Sequence, residues 1–248
     1  AGGIFLPLNT AYTPSELEYF LTDAKPLIFV CDPKKSAVLE VLAEQTGVGK
    51  VFTLSADGLG SLIDALPMHT HSFKEVARGK DDLAAFLYTS GTTGRSKGAM
   101  LTHNNLVSNA QSLCQCWHFD NTDVLIHALP LFHIHGLFVA TNVTLSAGSS
   151  MIFMPQFDSE MIISLMSRAT VLMGVPTFYV RLLESANLCA ATVAPMRLFI
   201  SGSAPLLAET HKQWQEVTGT AILERYGMTE TNMNTSNPYE GERRAGTV

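Results

Sequence analysis

Hydrophobic positions along this chain fall into short unbroken runs separated by segments with helical spacing. Phe5-Leu6 and Leu27-Ile28-Phe29-Val30 predict buried strands. Between them, Thr13-Pro14-Ser15-Glu16 is a helix start: Thr13 can cap Glu16, Glu16 can reach back, and Pro14 loses no helical bond in the first turn. Leu17, Phe20 and Leu21 then supply an i, i+3, i+4 stripe. The same logic predicts strands at 51–54, 83–89, 123–128, 150–153, 170–173, 197–201 and 220–223. Helices are predicted at 35–45, 103–117, 136–146, 159–167, 177–185 and 206–217. Strands that are apolar on both faces and alternate with helices indicate an α/β fold, with parallel-rich sheets flanked by helices. Their connections should be right-handed crossovers.

The segment 55–82 breaks this pattern. It is polar, ends in the charged run Arg78-Gly79-Lys80-Asp81-Asp82, and reads as a surface connection between two sub-sheets. Its His69 and His71 could hold a metal, but a loop histidine pair is ordinarily solvated. The chain has 248 residues, of which 46% are hydrophobic and 15% charged, enough for a sizeable core. With 22 acidic against 16 basic residues, it lacks the basic excess of a nucleic-acid binder. The most apolar stretch, 125–145, is interrupted by Pro130, Gly136, Asn142 and three histidines, which excludes a membrane span. Four cysteines, at 31, 114, 116 and 189, lack zinc-knuckle or thioredoxin spacing. They read as buried or half-buried free thiols of a reducing compartment, the cytoplasm or an organelle.

The chemistry concentrates in Tyr88-Thr89-Ser90-Gly91-Thr92-Thr93-Gly94-Arg95-Ser96-Lys97-Gly98, which follows the apolar run Leu83–Leu87 and precedes a helix. Glycines permit close backbone approach, and successive N–H groups can form an anion nest. The hydroxyls of Thr89, Ser90, Thr92 and Thr93 add donors, and Arg95 and Lys97 add positive charge, so a phosphate chain is the natural guest. A Walker loop needs Gly-Lys followed by Ser or Thr, but here Lys97 precedes Gly98 and Gly94 lies three residues back.

This run resembles the signature of the acyl-adenylate-forming superfamily, in its acyl-CoA synthetase branch. Three later segments agree in that family's order: Leu129-Pro130-Leu131-Phe132-His133-Ile134-His135-Gly136 resembles the acyl-pocket motif, Ser201-Gly202-Ser203-Ala204-Pro205 the adenine-side loop, and Tyr226-Gly227-Met228-Thr229-Glu230 the adenylate motif. The resemblance implies that Thr89, Ser90, Gly91, Thr92, Thr93, Gly94 and Lys97 cradle the ATP phosphates. It implies that Tyr226 stacks on adenine, with Gly227 and Met228 beside it, that Thr229 bonds the α-phosphate, and that Glu230 holds Mg²⁺. Ser203, Ala204 and Pro205 would present backbone to the nucleotide. His133 would stand at the mouth of the acyl pocket, near the path of the coenzyme A thiol. Without the motif, Tyr226 would read as a core aromatic, Glu230 as a surface carboxylate, and the histidines at 133 and 135 as helix-start packing.

Arg225 precedes the Tyr-Gly pair, where relatives that activate aromatic or fatty acids carry a small residue. A cation in an apolar acyl pocket is costly unless paired. A dicarboxylate would pair it bidentately. Arg181 is expected to flank the same pocket, with Ser201 and Met228 as further substrate contacts. The alternative for Arg225 is a salt bridge to Glu224 or Glu209, and Arg197 is assigned to structure. The run from Glu224 to Ser236 resembles malonyl-CoA synthetases, so malonate is the expected substrate, methylmalonate a second, and ATP and coenzyme A the co-substrates.

A different class remains open, a nucleotide- or acyl-binding module without turnover. Relatives continue into a mobile domain with a Thr-Gly-Asp segment and a terminal lysine, and this sequence stops at Gly246-Thr247-Val248 before either. It also starts in what looks like a mid-domain strand. The expectation is the central part of a larger adenylating domain, with little synthetase activity of its own.

Overall fold

A computed structural model describes residues 2–66, 73–89 and 95–248. Ser90, Gly91, Thr92, Thr93 and Gly94 of the expected phosphate loop lie outside the described residues, as do His69 and His71. The chain divides into two compact units, one mainly Leu8–Ala77 and the other Gly3–Pro7 with Arg78–Val248.

In the smaller unit, α1 (Pro14–Ala24) starts with the expected capping box, the Thr13 hydroxyl accepting from the Glu16 N–H and the Glu16 carboxylate accepting from the Thr13 N–H. Strand β1 (Ile28–Cys31) pairs in parallel with β2 (Lys50–Thr53), and α2 (Ser36–Gln45) connects them. Leu17, Leu21, Phe29, Leu39, Leu42 and Ala43 form their shared core. A short helix, α3 (Ser61–Asp64), lies within the segment read as a plain connection.

The larger unit begins with Phe5, not a full strand, whose backbone bridges to Ala85 in β3 (Leu83–Thr89). β3 pairs antiparallel with β4 (Lys97–Thr102), and α4 (His103–Cys116) follows. Strand β4 was not expected; Lys97-Gly98-Ala99-Met100-Leu101-Thr102 has little apolar weight, and the Phe86 ring covers Gly98, where a β-carbon would collide with it. The rest of this unit is built on β5 (Val124–His127), a π-helical turn (His135–Ala140) running into α5 (Thr141–Ser146), β6 (Ser150–Phe153) and α6 (Ser159–Leu165). Then come β7 (Val171–Gly174), α7 (Pro176–Leu183), α8 (Ala190–Val193), β8 (Leu198–Ser201), α9 (Ala208–Thr218), β9 (Leu223–Met228) and β10 (Asn232–Ser236).

Six of these strands form one sheet in the order β10-β9-β8-β7-β5-β6. All neighbours are parallel except β10, which returns antiparallel along β9. Side-chain alternation divides the core between two faces. Ile126, Leu172 and Phe199 pack with Ile162, Tyr179, Leu182 and Trp214 of α6, α7 and α9. Leu125, Val171, Met173, Leu198 and Ile200 pack with Leu113, Trp117 and Val143 on the side of α4 and α5. A sheet covered on both faces was the expected arrangement, and the β9–β10 hairpin is its departure.

The cysteines are free, but Cys116 and Cys189 are exposed rather than buried. Among the described residues no helix is long and apolar enough to cross a membrane.

Candidate active site

Strand β5 has β6 on one side and β7, the start of the β7-β8-β9 series, on the other. Strand order therefore reverses between β5 and β7. In open α/β sheets, ligands bind beyond the carboxyl ends of the strands at such a reversal. His127 ends β5, Ser201 ends β8, and Arg225 lies one residue past the Ser201↔Glu224 pair of β8 and β9. His135 opens the π-helical turn, an irregularity that often marks functional sites.

These four residues hold every buried side-chain polar atom that lacks a hydrogen-bond partner among the described residues: His127 Nδ1, His135 Nε2, Ser201 Oγ, and Arg225 Nε and Nη2. Such atoms are rare in native folds, and a cluster of them marks a place prepared for a polar guest. Arg225 is only 3% exposed, and burial pushes its pKa down to about 10. Neither expected salt bridge forms: Glu224 turns to His211 Nδ1 at 3.1 Å and to the Gly246 N–H at 3.0 Å. Burial first, then the Arg225 cation, then His127 and His133 hold His135 well below the usual imidazole range, so its ring is neutral. Its Nδ1 lies 3.1 Å from Ser203 Oγ. Ser203 itself has a φ of 71°, a left-handed backbone unusual for serine. The neighbouring Gly202 leaves space that the Arg225 guanidinium fills.

Strand alternation turns the next residue the other way. Tyr226 is 48% exposed, with its ring free to stack on a base rather than packed in the core. Beyond it, β9 and β10 join through a turn in which the Thr231 N–H bonds to the Met228 carbonyl, and Asn232 follows with a φ of 57°. That is a tight turn closed by a left-handed residue. Thr229 and Glu230 are its central residues. The Glu230 carboxylate is exposed and makes no hydrogen bond or ion pair among the described residues. It borders a polar hollow of about 190 Å³.

At the phosphate loop, Thr89 and Lys97 face each other in the β3–β4 register, and Lys97 is exposed. Ala204 and Pro205 lie exposed before α9. His133 is exposed, with its ring centroid 4.5 Å from that of Phe132. Arg181 departs from expectation. It is exposed in the last turn of α7, 4.6 Å above the Phe157 ring. Two residues along a helix turn the chain by about 200°, so Arg181 leaves α7 opposite Tyr179, whose buried hydroxyl bonds to the Ile200 carbonyl. It is not brought to Arg225. His127, overlooked in the sequence, was marked only as a polar end to the run Val124-Leu125-Ile126.

Comparison with known proteins gives the chain a family and relatives. The AMP-binding enzyme family matches residues 1–248. A malonate–CoA ligase of Arabidopsis thaliana is 34% identical over 271 residues, covering 100% of this chain and 44% of the relative. The crystal structure of ATP-bound MatB from Rhodopseudomonas palustris is 63% identical with a TM-score of 0.97, covering 100% of this chain and 49% of that one. A malonyl-CoA ligase in a ternary product complex with methylmalonyl-CoA and AMP is 34% identical with a TM-score of 0.83, covering 100% of this chain and 51% of that one. The chain thus spans about half the length of these relatives.

Proposed function

Since the chain belongs to the AMP-binding enzyme family, we propose that the protein uses ATP to activate malonate and transfers the malonyl group to coenzyme A, with methylmalonate as a second substrate. The observation that carries the dicarboxylate reading is Arg225, a buried guanidinium with two nitrogens unpartnered and no salt bridge among the described residues. An isolated buried cation is costly. A bidentate carboxylate supplies both the charge and the two acceptors. A monocarboxylate, whose only carboxylate must react, leaves Arg225 as it is.

In the first half-reaction a malonate oxygen attacks the α-phosphorus of ATP. The new O–P bond forms as the bond to pyrophosphate breaks, and pyrophosphate leaves with the electron pair. In the second, the coenzyme A sulfur, its thiol proton lost to solvent, attacks the acyl carbon of malonyl-AMP, and AMP leaves with the electron pair of the broken C–O bond. The protein's part is alignment and charge stabilisation. Arg225 holds the unreactive carboxylate, with Ser201 beside it. Tyr226 stacks on adenine, beside Gly227, Met228 and the backbone of Ser203, Ala204 and Pro205. Thr229 bonds the α-phosphate, and Lys97, with Thr89 opposite it in the β3–β4 register, offsets charge on the departing pyrophosphate. His133 lines the approach of the thiol. For Mg²⁺ the donor set fits: Mg²⁺ takes one or two carboxylates plus phosphate oxygens and water, and Glu230 is a single uncommitted carboxylate beside amide and hydroxyl oxygens. Bound there, the ion supplies positive charge to the phosphates.

The test is ATP–pyrophosphate exchange by the full-length protein with malonate, methylmalonate and acetate in turn. Malonate should give the largest kcat/KM and acetate close to none. Equal rates with malonate and acetate would refute the arginine clamp.

A further inference from the structure

The adenylate turn has a support that the sequence motifs do not include. Helix α4 lies along the outer edge of β10, the last strand of the sheet. An edge strand leaves alternate N–H and C=O groups unpaired. At Met233 both groups are taken by one side chain of α4: Asn109 Nδ2 donates to the Met233 carbonyl at 3.1 Å, and Asn109 Oδ1 accepts from the Met233 N–H at 3.4 Å. The carboxamide thus stands in for the next strand. Four residues earlier on the same helix face, the Asn105 carbonyl accepts from Asn232 Nδ2 at 3.3 Å. Farther along, Trp117 Nε1 donates to Ser236 Oγ at 3.0 Å.

The contacts are placed where the hairpin is least self-supporting. Asn232 is the left-handed residue closing the turn, and the β9–β10 register slips between Met233 and Thr235. Asn109 therefore grips β10 between the turn and the bulge. The turn ahead of that grip carries Thr229 and Glu230, and Asn105, Ser108, Asn109 and Ser112 form the opposite wall of the hollow that Glu230 borders.

We propose that Asn109 is a positioning residue, its carboxamide clamping the Met233 backbone so that the turn presents Thr229 and Glu230 to the nucleotide phosphates and their Mg²⁺. This rests on the adenylating reading above. The malonate end of the site is separate: the Arg225 guanidinium lies against Gly202 and acts on His135, while Tyr226 is the next residue of the same strand.

The test uses Asn109→Leu, which removes both bonds, and Asn109→Asp, which can still accept from the Met233 N–H but sets a carboxylate against its carbonyl. Malonate-dependent ATP–pyrophosphate exchange is measured on the full-length proteins against malonate and against Mg²⁺. The expected result is a kcat at least tenfold lower, a several-fold higher Mg²⁺ concentration for half-maximal rate, and a malonate KM within about twofold of wild type. A folded variant with wild-type kcat and Mg²⁺ requirement overturns the inference while leaving the functional reading intact. So does loss of fold in both variants, which makes Asn109 a scaffold residue only. Absence of exchange by the wild type with any carboxylate overturns the functional reading and this inference together.

Discussion

The guanidinium of Arg225 rests against the α-carbon of Gly202, in space that any β-carbon at position 202 would occupy. The glycine that follows β8 and the arginine of β9 are therefore one unit. Gly202 is needed here for its missing side chain. Gly202→Ala should displace Arg225 and raise the KM for malonate at least tenfold, about 1.4 kcal/mol. Initial rates at saturating ATP measure this. An unchanged malonate KM would mean that the guanidinium has room to move without losing the substrate.

Arg225 also sets function against stability. Its charge is buried without a salt bridge among the described residues, so an apolar residue of similar length should suit the fold better. We expect Arg225→Met to raise the unfolding free energy in urea by about 1–4 kcal/mol. The same variant should raise the malonate KM roughly 100-fold, as expected for losing a charge-assisted, bidentate contact worth about 1.5–3 kcal/mol per bond. Acetate activation should not fall. A variant both less stable and unaltered toward malonate would place a fixed partner beside Arg225.

How much of this was legible beforehand follows the physics of each element. Strands such as Val171–Gly174 and Leu198–Ser201 declare themselves because both faces are buried and the run is apolar. The strand expected at 220–223 lies instead at Leu223–Met228, because the site occupies its polar half. Strand β10, Asn232-Met233-Asn234-Thr235-Ser236, has no apolar run and is held by a helix side chain and by β9 rather than by burial on two faces. Arg225 was legible as a costly cation and Tyr226 as a motif position. Which way each faces was not, since strand alternation needs a register. Arg181 misled because a helix that flanks a pocket turns only some of its residues toward it. The Asn109–Met233 pair is separated by 124 residues and follows no local period.

Tyr226 gives a test of the nucleotide end. Its ring is half-exposed, and its hydroxyl lies 3.8 Å from Met228 Sδ. Little folding energy depends on it. Stacking between a base and an aromatic ring is worth about 1–3 kcal/mol. Tyr226→Ala should raise the KM for ATP by about tenfold and leave both the malonate KM and the melting temperature close to wild type. Tyr226→Phe should restore ATP affinity, because the ring rather than the hydroxyl makes the stack. A large drop in melting temperature for the alanine variant would return Tyr226 to the core.

The opposite end of the sheet provides the contrast. Asp123, Thr170 and Arg197 immediately precede β5, β7 and β8, at the amino ends of three parallel strands. Asp123 accepts from Arg197 Nε at 2.7 Å, from Arg197 Nη2 at 2.5 Å and from Thr170 Oγ1 at 2.7 Å. Burial alone would raise the Asp123 carboxyl, but the Arg197 and Thr170 hydrogen bonds outweigh it and hold the group below its ordinary 3.8. A carboxyl depressed in the folded state binds fewer protons there than in the unfolded chain. Its contribution to stability is therefore complete above about pH 3.8 and is lost as pH falls through the lower folded value. Asp123→Asn should cost about 3 kcal/mol at neutral pH, since Arg197 then loses its counter-charge. It should also flatten the acid limb of the urea-stability curve below pH 4, roughly where this group titrates. The malonate and ATP KM values should stay unchanged, because the proposed ligand site lies at the carboxyl ends of these strands. A shift in either KM without a change in stability would mean that the two ends of the sheet are coupled.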